Sequence, residues 1–575
     1  MNCLLAFPVS LALTVSAAAA TYHVDGAAAN AADANPGTEV APWKTISRAA
    51  AAKELAPGDT VLIRSGVYRE HVAITVSGAP ERPVTFAAAP GCRVVIKGSE
   101  IVRGTWSKVQ GDATVREPYP NAFTGVWKIP LGDEFFADPD FQPSYADRAK
   151  RWVSQVFIDD EQSLQRIGPD PIYTNEPYAK LACVGRDLSD IIDGSFYFDA
   201  AEQTLYIKHM GDPSWFNIEV GVRGFGLTAS KIHDVVIRGL EVRHNRQPGG
   251  QWPMASLNEC ERVLIEGCRF YQADFCGLSI GTSRNCTVRD CEMAYNGNTG
   301  FSLGQSEDCT IEDSRLLFNN TRRFHSGWHA GGMKCIPANR RITVQRCEVA
   351  YNVASDGIWF DADNAEIRIL DNVSHHNDGC GIFFEINPGG GLIANNLCYA
   401  NRGRGIYVSG SQKTWVVHNT LAVNGAGIVC MPREDPFTLE EVNVLNNLLI
   451  RNYVTQETIT RGCDLTLFMN AEDAPGTLGK RRNLSVHSDY NLYANSSWVP
   501  FLRHQWNPNN TLPQWQERFA EDLHSQLMPV AFETRGTGFK LLTTAGLDVA
   551  GPLPAAVAWT PPDPRRVGCA RTQWP

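Results

Sequence analysis

Beyond its first twenty residues, this 575-residue chain has no run of the roughly 18 to 20 apolar residues that a membrane span requires. It has no basic excess either. The formal net charge is −10, which argues against nucleic acid or an anionic membrane as a general partner and leaves carbohydrates open. Sixteen cysteines are present, yet none of their spacings has the form of a zinc site. Charge is not dominant, at 20% against 43% hydrophobic residues, so disorder is excluded as the class. The opening segment, residues 1–20, is an apolar run closed by small residues and reads as a secretory signal cut before Thr21. It lacks the usual Lys or Arg at its start, and Cys3 comes too early for a lipoprotein site. A periplasmic or secreted protein is the expectation.

At this length one compact core is excluded unless the chain is a repeat. A repeat is present. Gly357-Ile358-Trp359-Phe360-Asp361 returns 24 residues later as Gly381-Ile382-Phe383-Phe384-Glu385. Around it, an apolar-x-x-small-x-apolar pattern recurs nine times between Ile237 and Leu449, with its middle column at Leu240, Cys268, Cys291, Ser314, Cys347, Asn372, Asn396, Asn419 and Asn447. The steps are too short for strand–helix–strand units of about 30 or more residues, and no helical stretch intervenes. The pattern predicts an all-β protein, a right-handed parallel β-helix. Asn372, Asn396, Asn419 and Asn447 should stack as an inward ladder. Asn296, Asn319, Asn352, Asn377, Asn401, Asn424 and Asn452 form a second column, read as turn positions where Asn tolerates the left-handed conformation. Cys268, Cys291 and Cys347 share the first column and Cys286 and Cys309 form another, which reads as small stacked side chains with free thiols. Disulfides between adjacent coils are the alternative, because a strand spacing lies within their reach.

In chain order, residues 21–100 are expected to form an N-terminal cap and the first coils, with an amphipathic helix over 43–52 covering the open end. This segment resembles the start of bacterial right-handed parallel β-helix proteins that handle polysaccharides. Residues 101–230 break the repeat and read as an inserted β-sandwich-like domain, in which FYFD and TLYIKH make a hairpin. The main β-helix covers 231–460, and 461–575 hold the last coils and a Pro-rich tail laid along the surface.

The second strand of each coil begins at a glycine: Gly277, Gly300, Gly332, Gly357, Gly381, Gly405 and Gly427. Residues one and three after it are apolar or cysteine, so residues two and four after it point outward. The first outward column contains Lys334, Trp359, Phe383 and Tyr407, and the second contains Asp361 and Glu385. Three aromatics facing solvent would mark a sugar-binding surface. The two acids start about 4.8 Å apart, the strand spacing. Retaining glycosidases need about 5 to 5.5 Å between carboxyls and inverting ones roughly 6.5 to 9.5 Å, so the spacing favours the retaining mechanism. Lys334 favours an ionised Asp361 as nucleophile. Glu385, in a drier place between Phe383 and Tyr407, is favoured as the acid and then the base.

The pair of motifs resembles the catalytic region of the family-120 glycoside hydrolases, parallel β-helix enzymes with an inserted β-domain and retaining β-xylosidase activity. The resemblance implies the same roles, nucleophile for Asp361 and acid/base for Glu385. Around them, Asp363, Trp328, His329 and Asn387 complete the substrate-binding set together with Lys334, Trp359, Phe383 and Tyr407, and the insertion FHSGWHAGG would wall the site. The partner is an oligo- or polysaccharide and no cofactor is needed. A rival reading is a uronate lyase, with Lys334 as base and Ca²⁺ held by Asp361, Asp363 and Glu385. A third is a non-catalytic carbohydrate-binding β-helix, since one fold hosts all three.

Overall fold

The alternating apolar positions wind the chain into three parallel sheets of 13, 12 and 13 strands, in a computed structural model of the chain. It describes residues 19–109, 124–136, 152–168, 185–246, 251–325, 327–433, 437–452, 465–467, 486–494, 502–504, 511–535, 538–542, 546–555, 557, 559–562, 565 and 568–569. Residues 1–18 of the expected signal lie outside them. We name the sheets by the order in which one coil visits them. Ala365–Leu370 lies in sheet A, Val373–His375 in sheet B and Ile382–Glu385 in sheet C. Every neighbouring pair within these sheets is parallel, as in a β-helix. Among the described residues no helix is long and apolar enough to cross a membrane.

The core is a column of buried aliphatic, aromatic and cysteine side chains, including Ile358 and Phe360 on one coil and Ile382 and Phe384 on the next. Thirteen cysteines among the described residues are free thiols, and all but Cys92 are buried. Asparagine side chains enter this core as hydrogen-bonded ladders. Asn396 Oδ1 accepts both the backbone N–H and the Nδ2–H of Asn372, each at 3.0 Å. Asn396 Nδ2 in turn donates to Ile369 O and to Asn419 Oδ1, at 2.8 and 3.0 Å. The ladder runs on through Asn447 to Asn491. The second column bonds in the same way from Asn296 to Asn452. Its asparagines are not the left-handed residues, however. The positive φ falls one residue earlier, on Tyr295, Phe318, Tyr351, His376, Ala400, Val423 and Arg451. The bend is made there, which leaves each following Asn free to turn its amide inward. This amide row also explains the glycines that start the sheet C strands. A Cβ on Gly357 or Gly381 would stand 2.9 or 2.8 Å from the Nδ2 of Asn377 or Asn401.

The N-terminal helix is shorter than expected, Ile46–Ala50, capped by Thr45, with Ile46, Ala49 and Ala50 buried. Trp43 joins the core, stacked on Tyr22. Within 101–230 the hairpin forms as read, Ser195–Asp199 with Thr204–Met210. It belongs to a five-stranded sheet that shares a core with a four-stranded one, through Phe196, Phe198 and Ile207 against Val156, Ile158 and Val220. A buried ion network docks this sandwich on the solenoid. Lys97 Nζ lies 3.0 Å from Glu219 Oε1 and also meets Asp160, while Arg69 reaches Glu219 at 2.8 Å. At the far end a helix absent from the sequence reading, Leu512–Phe519, caps the stack with Trp515 in the core. The described tail residues lie against the coils, where Leu553, Val557 and Trp559 pack with Leu392 and Trp415.

Replacing Asn396 by Ala strands the buried N–H of Asn372 and the carbonyl of Ile369. A loss of roughly 3 kcal/mol is expected, read as a lower urea midpoint. Asn443→Ala, on the solvent side of sheet A, should leave that midpoint unchanged within error.

Candidate active site

Sheet C carries the outward columns in the expected register. Lys334 pairs with Trp359, Trp359 with Phe383, Phe383 with Tyr407, and Asp361 with Glu385. The two acids are therefore neighbours on adjacent coils. Each has its own donors. Lys334 Nζ sits 2.9 Å from Asp361 Oδ2, and the Trp359 indole N–H donates to Glu385 Oε2 at 3.1 Å. The Arg433 guanidinium pairs with Glu385 Oε1. Asp361 is partly open to solvent, whereas Glu385 is buried and its cover, Arg433, is exposed.

The aromatic stripe is the main departure. Trp359, Phe383 and Tyr407 point outward but are only 2%, 8% and 5% exposed. They stack on one another with centroids 5.1 and 4.7 Å apart. Lys334 Nζ covers the outer face of Trp359 at 3.2 Å, and Arg404 covers Tyr407 at 4.1 Å. Ring faces used in this way are closed to a sugar. Alternation had set the direction of these side chains correctly, but direction is not exposure. The stripe is the floor that holds the acids.

Lys334 is fully engaged. Besides Asp361 and the indole, it donates to Trp328 O at 2.8 Å. Burial pushes its amine down, against the pull of Asp361. Trp328 of the expected wall touches the site through this carbonyl, while its ring packs against Phe275 and Phe324. His329 is buried beside it with Nδ1 2.7 Å from Asn298 Oδ1, and burial, then the Lys334 charge, pushes its imidazole down to about 3. Asn387 does not belong to the site. It is a rung of a third ladder, with Oδ1 accepting from Asn364 Nδ2 at 2.8 Å and Nδ2 donating to Phe360 O at 3.1 Å, and it is wholly buried, out of reach of substrate. Asp363 stands on the exposed corner after Asp361, paired with Arg340 at 3.1 Å.

Two further residues bear on the acids. Asp356, at the start of the Asp361 strand, is buried and accepts the Cys380 N–H at 2.5 Å. Burial pushes its carboxyl up. Arg433 lies two residues past the end of Ala426–Met431, whose last residue, Met431, holds the acid-column position on that coil.

The family model "Right handed beta helix region" matches residues 254–421, and the chain is a right-handed parallel β-helix. A structure of XylC in complex with xylose superposes with a TM-score of 0.56 at 16% identity, covering 91% of this chain and 89% of that one. A solved glycoside hydrolase follows at 0.42 and 12% identity, covering 86% and 96%. At such identities the likeness is one of fold. The uncharacterized protein YwoF of Bacillus subtilis (strain 168) is 35% identical over 77 residues, 13% of this chain and only 16% of that relative.

His329 gives the pH dependence a sign. Its folded value lies below the ordinary value near 6.5, so its contribution is complete above that pH and is lost as pH falls toward about 3. Melting temperature should drop over that window, and His329→Gln, which keeps a donor for Asn298, should make the drop shallower.

Proposed function

We propose that the chain is an exported retaining glycoside hydrolase acting on glycosides derived from plant or microbial polysaccharides, β-xylosides among them. The observation that carries this reading is the in-register pair Asp361 and Glu385 on adjacent coils. Their strands lie one spacing apart, about 4.8 Å, a starting separation closer to that of double displacement than to the wider gap that admits a water. Asp361, oriented by Lys334, attacks the anomeric carbon as Glu385 gives its proton to the departing oxygen. Water, deprotonated by Glu385, then attacks the same carbon and releases the Asp361 carboxylate. Arg433 stabilises the ionised form of Glu385 in the resting site. The first step therefore requires substrate to displace this exposed side chain, after which the indole N–H and the buried setting remain. The superposition with a xylose complex supports a saccharide-handling scaffold and goes no further.

The lyase reading fits less well. It needs a free lysine and three acids around one Ca²⁺. Lys334 is engaged on three sides, and Asp361, Asp363 and Glu385 pair with three separate cations, Lys334, Arg340 and Arg433.

Aryl glycosides, with aryl β-xyloside first, test the proposal. Asp361→Asn and Glu385→Gln should each lower kcat by about 10²–10⁴-fold while the fold persists by circular dichroism. Absence of chromophore release from every aryl glycoside, with a chelator-sensitive ultraviolet-absorbing product from uronate polymers, would select the lyase instead.

A further inference from the structure

The turn column that follows sheet B carries a second aromatic row. Tyr295, Phe318 and Tyr351 stack at 5.1 and 4.9 Å with their planes 4° and 8° apart, and His376 extends the row at 5.1 Å. The row ends at Tyr295, because the same position on the preceding coil is Gln272. Gln272 is turned away toward the inserted domain, with Oε1 2.9 Å from His244 Nε2 and Nε2 donating to Glu161 O at 2.9 Å. One face of Tyr295 is therefore covered by Phe318. Tyr295 also lines a cleft of about 350 Å³ between the solenoid and the inserted domain. Tyr295 is 49% exposed, unlike the rings of sheet C.

The wall opposite is polar. Ser154 and Gln155 of the inserted domain line the cleft, and each is more than nine-tenths buried. Among the described residues, Ser154 Oγ and Gln155 Oε1 have no hydrogen-bond partner. A buried acceptor and a buried hydroxyl left in that state in the wall of an open cleft are groups that a polyol satisfies once their side chains turn outward. Charge is balanced: Arg322 is paired with Asp274, and Glu161 offsets Arg166. The volume is at the small end of the range for small-molecule sites, about 300–1,000 Å³.

We infer that this cleft is a second saccharide-binding site. It takes one neutral sugar unit of a longer glycan, with the ring lying on Tyr295 and its hydroxyls on Ser154 and Gln155. Its lining is separate from Asp361, Glu385 and Lys334, and the inference stands whether or not those acids hydrolyse a glycoside.

The test uses the full chain carrying Asp361→Asn, so that turnover is blocked, with xylotetraose and cellotetraose as probes in saturation-transfer NMR and calorimetry. At least one probe should bind. Adding Tyr295→Ala should weaken that binding about tenfold or more, Gln155→Ala should weaken it, and Tyr295→Phe, which keeps the ring, should restore it. In the otherwise native chain, Tyr295→Ala should leave kcat/KM for aryl monoglycosides within about twofold, since a single sugar does not span both sites. Failure of both tetraoses to bind, or equal affinity with and without Tyr295→Ala in a chain of unchanged melting temperature, overturns the inference. Should Tyr295→Ala melt early, Gln155→Ala decides by the same criterion.

Discussion

The amide ladder is the constraint on which the rest depends. Each rung accepts two N–H groups from the coil before it and donates to coils on both sides, so no coil can shift against its neighbours without stranding buried polar groups. Hydrophobic burial alone would not impose this, because the core of a β-helix looks much the same after a slide of one coil. A slip of one residue would also turn every outward side chain inward. Three such ladders run through the coils that carry the candidate site: the turn column, the Asn372 column, and the row of Asn339, Asn364 and Asn387. Asp361 lies over Glu385 because Asn364 lies over Asn387, three and two residues further along the same coils.

Register, however, creates an electrostatic problem. A regular repeat places like residues over like, and two carboxylates one strand spacing apart repel strongly in a site with little water. Each acid here is given a different cation from a different direction. Lys334 reaches Asp361 from the preceding coil in the neighbouring outward column, and Arg433 reaches Glu385 from beyond a strand end two coils later. The stacked rings make this division possible. They fill the space between the cations with apolar surface, and the indole N–H gives Glu385 a donor that carries no charge. One acid is consequently held by a buried, immobile lysine and the other by an exposed arginine that can leave.

Periodicity made the architecture, the facing acids and the Asn372 ladder legible, because each depends on residues that recur at fixed steps. What it could not supply was anything set by contacts between distant segments. Trp359, Phe383 and Tyr407 were placed on the correct face, but their burial depends on Lys334, Arg404 and other chain packing over that face. Asn387 was misread although its signal was available: Asn339, Asn364 and Asn387 are 25 and 23 residues apart, the same steps as the other ladders. The left-handed residue was assigned to Asn on intrinsic preference. The structure puts it one position earlier, where the bend precedes the Asn whose amide turns inward. The terminal helix Leu512–Phe519 had a capping box at Thr511 and Gln514 that repeat-seeking passed over.

The inserted domain raises the question of why a buried ion network, rather than an apolar seam, joins it to the solenoid. Lys97 is almost wholly inaccessible and shares Glu219 with Arg69 and His244, and Phe157 stacks on His244 at 3.7 Å. Burial alone would push the Glu219 carboxyl up, yet hydrogen bonds from His244, Arg69 and Ser99 hold it well below the usual carboxylate range. Removing such charges from water is costly, and an apolar contact of equal area would bind at least as firmly. An apolar seam would also tolerate rotation, whereas four groups converging on one carboxylate do not. Orientation is what the cleft needs. Ser154 and Gln155 belong to the domain and Tyr295 to the solenoid, and only a fixed angle between the two bodies keeps a ring face opposite a polar wall. The same logic governs both sites: a polar network that adds little net stability sets the geometry within which weaker contacts act.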